Sequence, residues 1–134
     1  MEKKYKLTEE TINIYDRTLY RIEALKDFSD VKKGDKGGFV ESENNLSHYG
    51  NCWVYDNAKV FGNAKIYDNA KVFNNAEVYG HAEIFDNSEI FGNAEVYGDA
   101  WVYGNAKIYG NARIYGIATI CDNTEICGNM KISE

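Results

Sequence analysis

The sequence predicts an all-β fold of stacked parallel coils, and three observations lead to that prediction. Aliphatic residues recur at a strict spacing of six from Val54 to Ile132. A small residue, usually Ala, stands two positions before nearly every one of them. Charged residues 18 positions apart are often of opposite sign, which indicates where one coil ends and the next begins. Such self-similarity at a fixed period is typical of solenoid architectures.

The six-residue period is that of a short strand followed by a corner. Three strand alternations fit into six residues, whereas a helical face does not recur at that spacing. In the repeat that begins at Ala58, Ala58 and Val60 point inward while Lys59 and Phe61 point outward. Gly62 then opens the corner, because glycine tolerates a positive φ. One such strand cannot bury its inner face alone, so successive turns must stack around a shared aliphatic core.

The outward charges predict the length of one coil. With three repeats per coil, Lys59 lies beside Glu77 and Lys71 lies beside Glu89. A coil of two repeats would instead place Lys59 beside Lys71. We therefore expect a single-stranded parallel β-helix, a triangular prism with 18 residues per coil. Exposed ion pairs contribute about 0.2–1 kcal/mol each, so these charges specify register more than stability.

The first part of the chain lacks the repeat and is predicted to be a cap. We assign residues 1–45 to an N-terminal β-rich cap of the same domain and residues 46–134 to the hexapeptide-repeat β-helix. Residues 18–26 alternate as a strand does, and the glycines in residues 34–38 predict a turn. An irregular first coil is expected to begin near Gly38. A cap is needed because an open coil end exposes unpaired strand edges.

Composition limits the location and the kind of partner. The 134 residues contain no proline and carry a net charge of −6, which disfavours direct binding of nucleic acid. No run of 18 apolar residues is present, so no membrane span is expected. The N-terminus has no apolar stretch after its lysines, so we expect a cytoplasmic protein. Three cysteines without a CxxC motif suit a reducing compartment.

Several segments resemble the opening of known hexapeptide-repeat proteins. They are residues 19–28 (LYRIEALKDF), 31–47 (VKKGDKGGFVESENNLS) and 50–58 (GNCWVYDNA). The chain is similar to hexapeptide-repeat left-handed β-helix proteins, above all to uncharacterised bacterial and prophage members often labelled putative transferases. The resemblance implies a left-handed coil and a phage or prophage origin, with the host cytoplasm as the location, but no established activity.

Catalytic chemistry has weak candidates in the two histidines. Hexapeptide-repeat acyltransferases use a histidine as general base, usually where subunits meet, which makes His81 and His48 the residues to consider. His81 replaces the Asn of a corner, so we interpret it as a tolerated substitution in preference to a catalytic base. Residues 54–132 contain no insertion that could shape a slot for acetyl-CoA, and we expect no cofactor. Two histidines are too few for a three-histidine zinc site, so no metal is expected. Cys52 occupies an inward position as an inert core thiol, with no base predicted beside it.

Outward aromatic residues follow the aliphatic positions and predict stacked ladders. Self-stacking that stiffens the coil is one interpretation, and a protein-binding or oligomer surface is the other. Trp101 favours the second, because it interrupts a column of charged residues and Trp is a frequent interface anchor. The candidate binding surface comprises Trp101, Tyr67, Phe85, Tyr103, Tyr97 and Tyr115.

The repeat decays in the last coil, which predicts a contact between copies of the chain. Several alanines and aromatics are replaced there, and the candidate oligomer contacts are Ile120, Ile126, Met130 and Ile132. A trimer packed side by side or a dimer joined end to end would cover this region, and the family resemblance favours the trimer. Alternatively, Met130 plugs the core itself.

Three functions follow from these features. The first is a non-enzymatic protein-interaction or assembly module, whose partner is itself or an unidentified protein. The alternatives are a hexapeptide-type acyltransferase, and a phage inhibitor that binds a host defence protein through its acidic and aromatic surface.

Overall fold

The computed structural model describes residues 2–134 and shows an all-β protein of stacked parallel coils. Three longer strands come first: β1 (Tyr5–Ile14), β2 (Arg17–Ala24) and β3 (Lys36–Val40), followed by a short 3-10 turn at Glu43–Asn45. Fourteen two-residue strands follow: β4 (Trp53–Val54), β5 (Lys59–Val60), β6 (Lys65–Ile66), β7 (Lys71–Val72), β8 (Glu77–Val78), β9 (Glu83–Ile84), β10 (Glu89–Ile90), β11 (Glu95–Val96), β12 (Trp101–Val102), β13 (Lys107–Ile108), β14 (Arg113–Ile114), β15 (Thr119–Ile120), β16 (Glu125–Ile126) and β17 (Lys131–Ile132). No helix within residues 2–134 has the length and apolar character needed to span a membrane.

The short strands form three sheets, which are the three faces of the prism. The cap-side face contains β3, β5, β8, β11, β14 and β17, and β1 and β2 extend it. The Trp101 face contains β6, β9, β12 and β15, and the Trp53 face contains β4, β7, β10, β13 and β16. Each regular strand pairs in parallel with the strand 18 residues further on, as Lys59 does with Glu77. The predicted 18-residue coil is therefore confirmed, over about five turns. Its handedness stays a prediction from the resemblance.

The interior matches the pattern of small and aliphatic residues. Ala58, Val60 and their equivalents in the following coils are buried, and Cys52 is buried as predicted. Burial ends in the last coil, where Thr124 and Met130 occupy the position of the inward alanine but are exposed. A small residue is needed at that position only where a further coil packs against it.

Each corner needs a left-handed conformation at one residue only. The first corner residue has a positive φ in every repeat, as in Asp68 at 58° and Gly98 at 68°. The second corner residue, which includes His81 and Ile117, does not, so these substitutions cost no backbone strain there. A Cβ added to Gly98 would lie 2.8 Å from the backbone nitrogen of Gly116, which explains a glycine at this tightly stacked corner.

The cap continues one face of the solenoid. Strands β1 and β2 form an antiparallel hairpin, β2 pairs antiparallel with β3, and β3 pairs in parallel with β5. The turn predicted over residues 34–38 is too long, because β3 already begins at Lys36. Gly37 and Gly38 serve close approach within this strand: a Cβ on Gly38 would lie 2.5 Å from the carbonyl oxygen of Ala58.

Candidate functional site

The aromatic ladders form as predicted, by stacking residues 18 apart. Seven ring pairs stack with centroids 4.7–5.2 Å apart and planes within 8° of parallel. The ladders are Tyr55, Phe73, Phe91 and Tyr109 beside the Trp53 face; Phe61, Tyr79, Tyr97 and Tyr115 beside the cap-side face; and Tyr67, Phe85 and Tyr103 beside the Trp101 face. Face-to-face stacking occupies both faces of most inner rings, so these ladders offer mainly ring edges and hydroxyls to a partner.

Tyrosine hydroxyls bind glutamates of the next coil, a contact that the sequence reasoning missed. The three pairs are Tyr67 to Glu83 at 2.8 Å, Tyr79 to Glu95 at 3.1 Å and Tyr109 to Glu125 at 3.2 Å. A spacing of 16 between Tyr and Glu could have predicted these contacts. Each ladder residue lies two positions after the outward residue of its own strand, so the outward residue of the next coil is 16 positions further on. Burial, and then the contact with Glu83, raises the pKa of Tyr67.

The predicted ion pairs between coils form only in part. The register places Lys59 beside Glu77 as expected. Among the stacked positions of residues 2–134, an ion pair forms only between Arg113 and Glu95, at 3.7 Å. Several glutamates instead accept the tyrosine hydroxyl, which is nearer and loses less side-chain freedom than a lysine.

The six residues predicted as a binding surface lie in two places. Trp101, Tyr67, Phe85 and Tyr103 belong to the Trp101 face, whereas Tyr97 and Tyr115 lie on the ladder beside the cap-side face. Trp101 is 46% exposed and packs edge-on against Phe85, with ring centroids 6.0 Å apart.

The upper half of the Trp101 face carries no charge on its outward positions. Thr119 follows Trp101 in its column, and Cys121 follows Tyr103 in the ladder beside it. The adjoining corner presents Ile117, which is 72% exposed. Below Trp101 the same column is charged, with Lys65 and Glu83. Within residues 2–134, two of the five large exposed hydrophobic side chains, Trp101 and Ile117, lie on this part of the Trp101 face, next to the exposed Asp99; the other three are Tyr15, Tyr49 and Met130.

The candidate oligomer contacts lie in the last coil. Ile120 and Ile126 keep 7% exposure each, Ile132 packs partly against the core, and Met130 is 52% exposed. Outside the strands, the backbone bonds between coils run from an N–H to a carbonyl of the following coil, as from Tyr103 to Ile120. The N–H groups of Thr119, Cys121, Glu125 and Cys127 have no such acceptor among residues 2–134.

At the other end of the prism, side chains of the cap bind the backbone carbonyls of the first coil. The Lys4 ammonium donates to the carbonyls of Cys52 at 2.7 Å and Gly50 at 3.3 Å. The Tyr5 hydroxyl donates to the carbonyl of Leu46 at 2.6 Å. Arg21 donates to the carbonyl of Asp56 in the first coil and to that of Gly37 in β3. These donors satisfy the carbonyl groups of the first coil, which would otherwise be unpaired.

The two histidines have different surroundings. His48 stacks on the Tyr5 ring, accepts a hydrogen bond from the Lys4 backbone at Nδ1 and contacts Glu43 at 2.8 Å through Nε2. That contact lowers the pKa of the Glu43 carboxyl. Both ring nitrogens of His48 are therefore engaged in holding the cap. His81 is exposed at its corner, and its side chain has no hydrogen-bond partner within the described chain.

Cys52 has a basic neighbour after all. The Lys4 Nζ atom lies 3.4 Å from the Cys52 Sγ atom, which corrects the expectation that nothing beside this thiol could act as a base. Burial lowers the pKa of Lys4 and raises the pKa of Cys52. Both side chains are fully buried, so the pair has no route to a substrate. Over residues 2–134, no three His, Cys, Asp or Glu side chains come together as a metal site would require.

Comparison with known proteins supports the repeat assignment. A family model described as YdcK beta solenoid repeat matches residues 106–122. The chain is thus a β-solenoid repeat protein, with similarity to this family over those residues. The protein named Uncharacterized acetyltransferase YdcK, from Escherichia coli (strain K12), is 46% identical over 37 residues. That segment is 28% of this chain and 11% of the relative, so the chain spans only a small part of the protein it matches. The resemblance to hexapeptide-repeat proteins, including a member labelled as a transferase, is confirmed.

Proposed function

We propose that this β-solenoid is a non-enzymatic assembly module, which acts in the cytoplasm of a bacterium, is of phage or prophage origin and binds further copies of itself. The observation that carries the proposal is the uncharged upper half of the Trp101 face. We call Trp101, Tyr103, Ile117 and Thr119 the assembly surface. An exposed Trp beside an exposed Ile, where the outward strand positions carry no charge, is typical of a protein contact.

The remaining outward surface supports this choice. Beyond Phe39 and Trp53, the cap-side and Trp53 faces carry charged columns, as with Glu95 and Arg113 or Glu89 and Lys107. Charged residues are depleted in the centres of interfaces, which leaves the Trp101 face as the best contact. The exposure of Met130 also argues against its use as a plug for the core.

The direction of the backbone bonds favours a trimer packed side by side over a symmetric end-to-end dimer. Two copies meeting at their last coils would both present N–H groups such as those of Thr119 and Cys121. Donors facing donors leave each other unpaired, which is unfavourable when water is excluded. A closed ring through the assembly surface avoids this problem and does not grow into fibres.

Light scattering tests the proposal directly. We expect a mass that is a multiple of 15.2 kDa, and a trimer in particular. Tyr103→Lys should dissociate the assembly, whereas Asn75→Lys, an exposed corner substitution away from the Trp101 face, should not. Ile126→Lys dissociates it only if the last coil is the contact. A monomer at micromolar concentration would refute the proposal, and would leave a heterologous partner to be found by pull-down from host lysate.

Acyl transfer is the second candidate, and the name of the Escherichia coli relative is the observation that favours it. His81 would have to be the base, because both nitrogens of His48 are occupied. Against it stands the uninterrupted repeat between residues 54 and 132, which leaves no loop to shape a cofactor slot. Calorimetry with acetyl-CoA distinguishes the two candidates. If the protein binds acetyl-CoA and His81→Ala abolishes that binding, acyl transfer is the better proposal.

A further inference from the structure

A groove separates the cap from the aromatic ladder beside the Trp53 face. It encloses about 260 Å³, which is enough room for one long side chain. Its lining residues are Asp30, Tyr55, Asp56, Lys71, Phe73 and Glu89. The groove is on a different face from the assembly surface, and neither function proposed above uses it.

The ladder is irregular at this groove. Tyr55 meets Phe73 edge-on, at 80° and with centroids 6.2 Å apart, while the other pairs in the ladders are parallel. The Tyr55 hydroxyl donates to Asp30 of the cap at 2.8 Å, which holds the ring in this orientation. Phe73 consequently has a parallel neighbour on one side only, Phe91 at 4.7 Å. Its other side faces the groove without a stacked ring.

The Glu89 carboxylate is free for a ligand. Three other glutamates accept a hydroxyl from the tyrosine 16 residues before them, but the residue 16 before Glu89 is Phe73, which has no hydroxyl. Lys71 is its neighbour in the sheet, yet the two side chains form no ion pair. No hydrogen bond or ion pair engages the Glu89 side chain anywhere in residues 2–134. Phe in place of Tyr at position 73 leaves the Glu89 carboxylate unpaired, and the edge-on orientation of Tyr55 leaves one side of the Phe73 ring without a parallel neighbour.

The combination is complementary to an organic cation. Three carboxylates and one ammonium line the groove, so its charge is negative, and the electron-rich face of Phe73 attracts a cation. A guanidinium suits it better than an ammonium, because its planar group stacks on a ring while its N–H donors reach a carboxylate. The chain already uses this contact elsewhere, where the Arg21 guanidinium lies 4.2 Å from the centre of the Phe39 ring.

We propose that this groove binds a guanidinium group, stacked on Phe73 and hydrogen-bonded to Glu89. The inference goes beyond the assembly function and does not depend on it. The guanidinium could belong to a small molecule or to an arginine of a protein, and both present the same chemistry to the groove. Asp30 and Asp56 contribute to the attraction, while Tyr55 keeps the groove open.

A titration with Nα-acetyl-arginine amide, followed by NMR of the labelled protein, tests the site. We expect shifts confined to the groove and a Kd of about 1 mM, as for a small fragment. Nα-acetyl-citrulline amide, which has the same shape without the charge, should bind at least about tenfold more weakly. Equal binding of the two probes would overturn the proposal.

Matched variants locate the site. Phe73→Tyr supplies the missing hydroxyl to Glu89 and should weaken arginine amide binding about fivefold, and Glu89→Gln should weaken it about tenfold. Phe91→Tyr is the control, because the residue 16 further on is Lys107 and no glutamate is engaged. Equal affinities for Phe73→Tyr and Phe91→Tyr would contradict the assignment. Thermal melts of each variant confirm that the fold is retained.

A pentapeptide, Gly-Gly-Arg-Gly-Gly, distinguishes the two sources of the guanidinium. Tighter binding of the peptide than of arginine amide indicates an arginine on a protein partner, and equal binding indicates a small molecule. Light scattering on the same samples keeps the two proposals apart, since the oligomeric mass should be unchanged by Phe73→Tyr.

Discussion

At the scale of single residues, Lys4 links the cap to the first coil through a buried charge. Its ammonium is buried, donates to two carbonyls of the first coil and lies 4.7 Å from the centre of the Phe28 ring. Burial of a charged group is expensive unless it is well paired, and burial lowers the pKa of Lys4. The hydrogen bonds from the Lys4 ammonium offset the free energy needed to bury it, because they satisfy two carbonyl groups that no neighbouring strand covers.

Lys4→Met should destabilise the protein by about 1–3 kcal/mol, because it preserves the aliphatic stem and leaves the carbonyls of Gly50 and Cys52 unpaired. Urea unfolding monitored by circular dichroism measures the change. Lys6→Met, two residues further along the chain at an exposed position of β1, serves as the control and should change stability by less than about 0.5 kcal/mol. A loss no larger than that of Lys6→Met would show that water replaces the ammonium without cost.

At the scale of elements, the tyrosines of the aromatic ladders make the free energy of unfolding depend on pH in the alkaline range. Burial raises the pKa of Tyr55, Tyr67 and Tyr79, and contacts with Cys127 and Glu125 raise the pKa of Tyr109 to about 12. The folded chain therefore holds these protons more tightly than the unfolded chain, in which tyrosine titrates near 10. A raised folded pKa gives stability that is complete below pH 10 and is lost as the pH rises through the folded values.

The midpoint of urea unfolding should therefore fall as the pH is raised from about 9 to about 12. Lys4 acts in the opposite sense. Because its pKa is lowered in the folded chain, its contribution to the free energy of unfolding rises with pH up to 10.5. This single group opposes the four tyrosines named above. Replacing Tyr67 and Tyr79 together by Phe should flatten the dependence. A midpoint that stays constant or rises over this range would contradict the role given to the ladders.

At the scale of the whole molecule, the backbone bonds give the prism a direction. Outside the strands, donors of one coil point to carbonyls of the next, so the cap meets mainly carbonyl groups and the last coil presents mainly N–H groups. The cap matches this direction, because it places the donor side chains of Lys4, Tyr5 and Arg21 where backbone carbonyls need a hydrogen bond. A partner for the last coil would have to bring acceptors.

Hydrogen exchange can therefore separate the two modes of assembly. In a trimer formed through the Trp101 face, the amides of Cys121 and Glu125 should exchange at least about a hundredfold faster than those of Tyr103 and Lys107 one coil below, which are paired. NMR-detected exchange on the assembled protein measures the ratio. Comparable protection of both sets would mean that the last coil is covered, and would move the contact from the Trp101 face to that end.

The coil, the inward core and the pairing of the aromatic ladders can all be predicted from the amino-acid sequence alone. Each follows from the period of six residues. Three periods make one coil of 18 residues, so Val60 pairs with Val78 and Phe73 stacks on Phe91. The sequence could not determine what the non-repeating segment contacts. The pairing of Lys4 with Cys52 spans 48 residues, and the contact of Asp30 with Tyr55, which opens the groove, spans 25. No period relates these residues, so only the folded chain, through the packing of the cap against the first coils, brings them together.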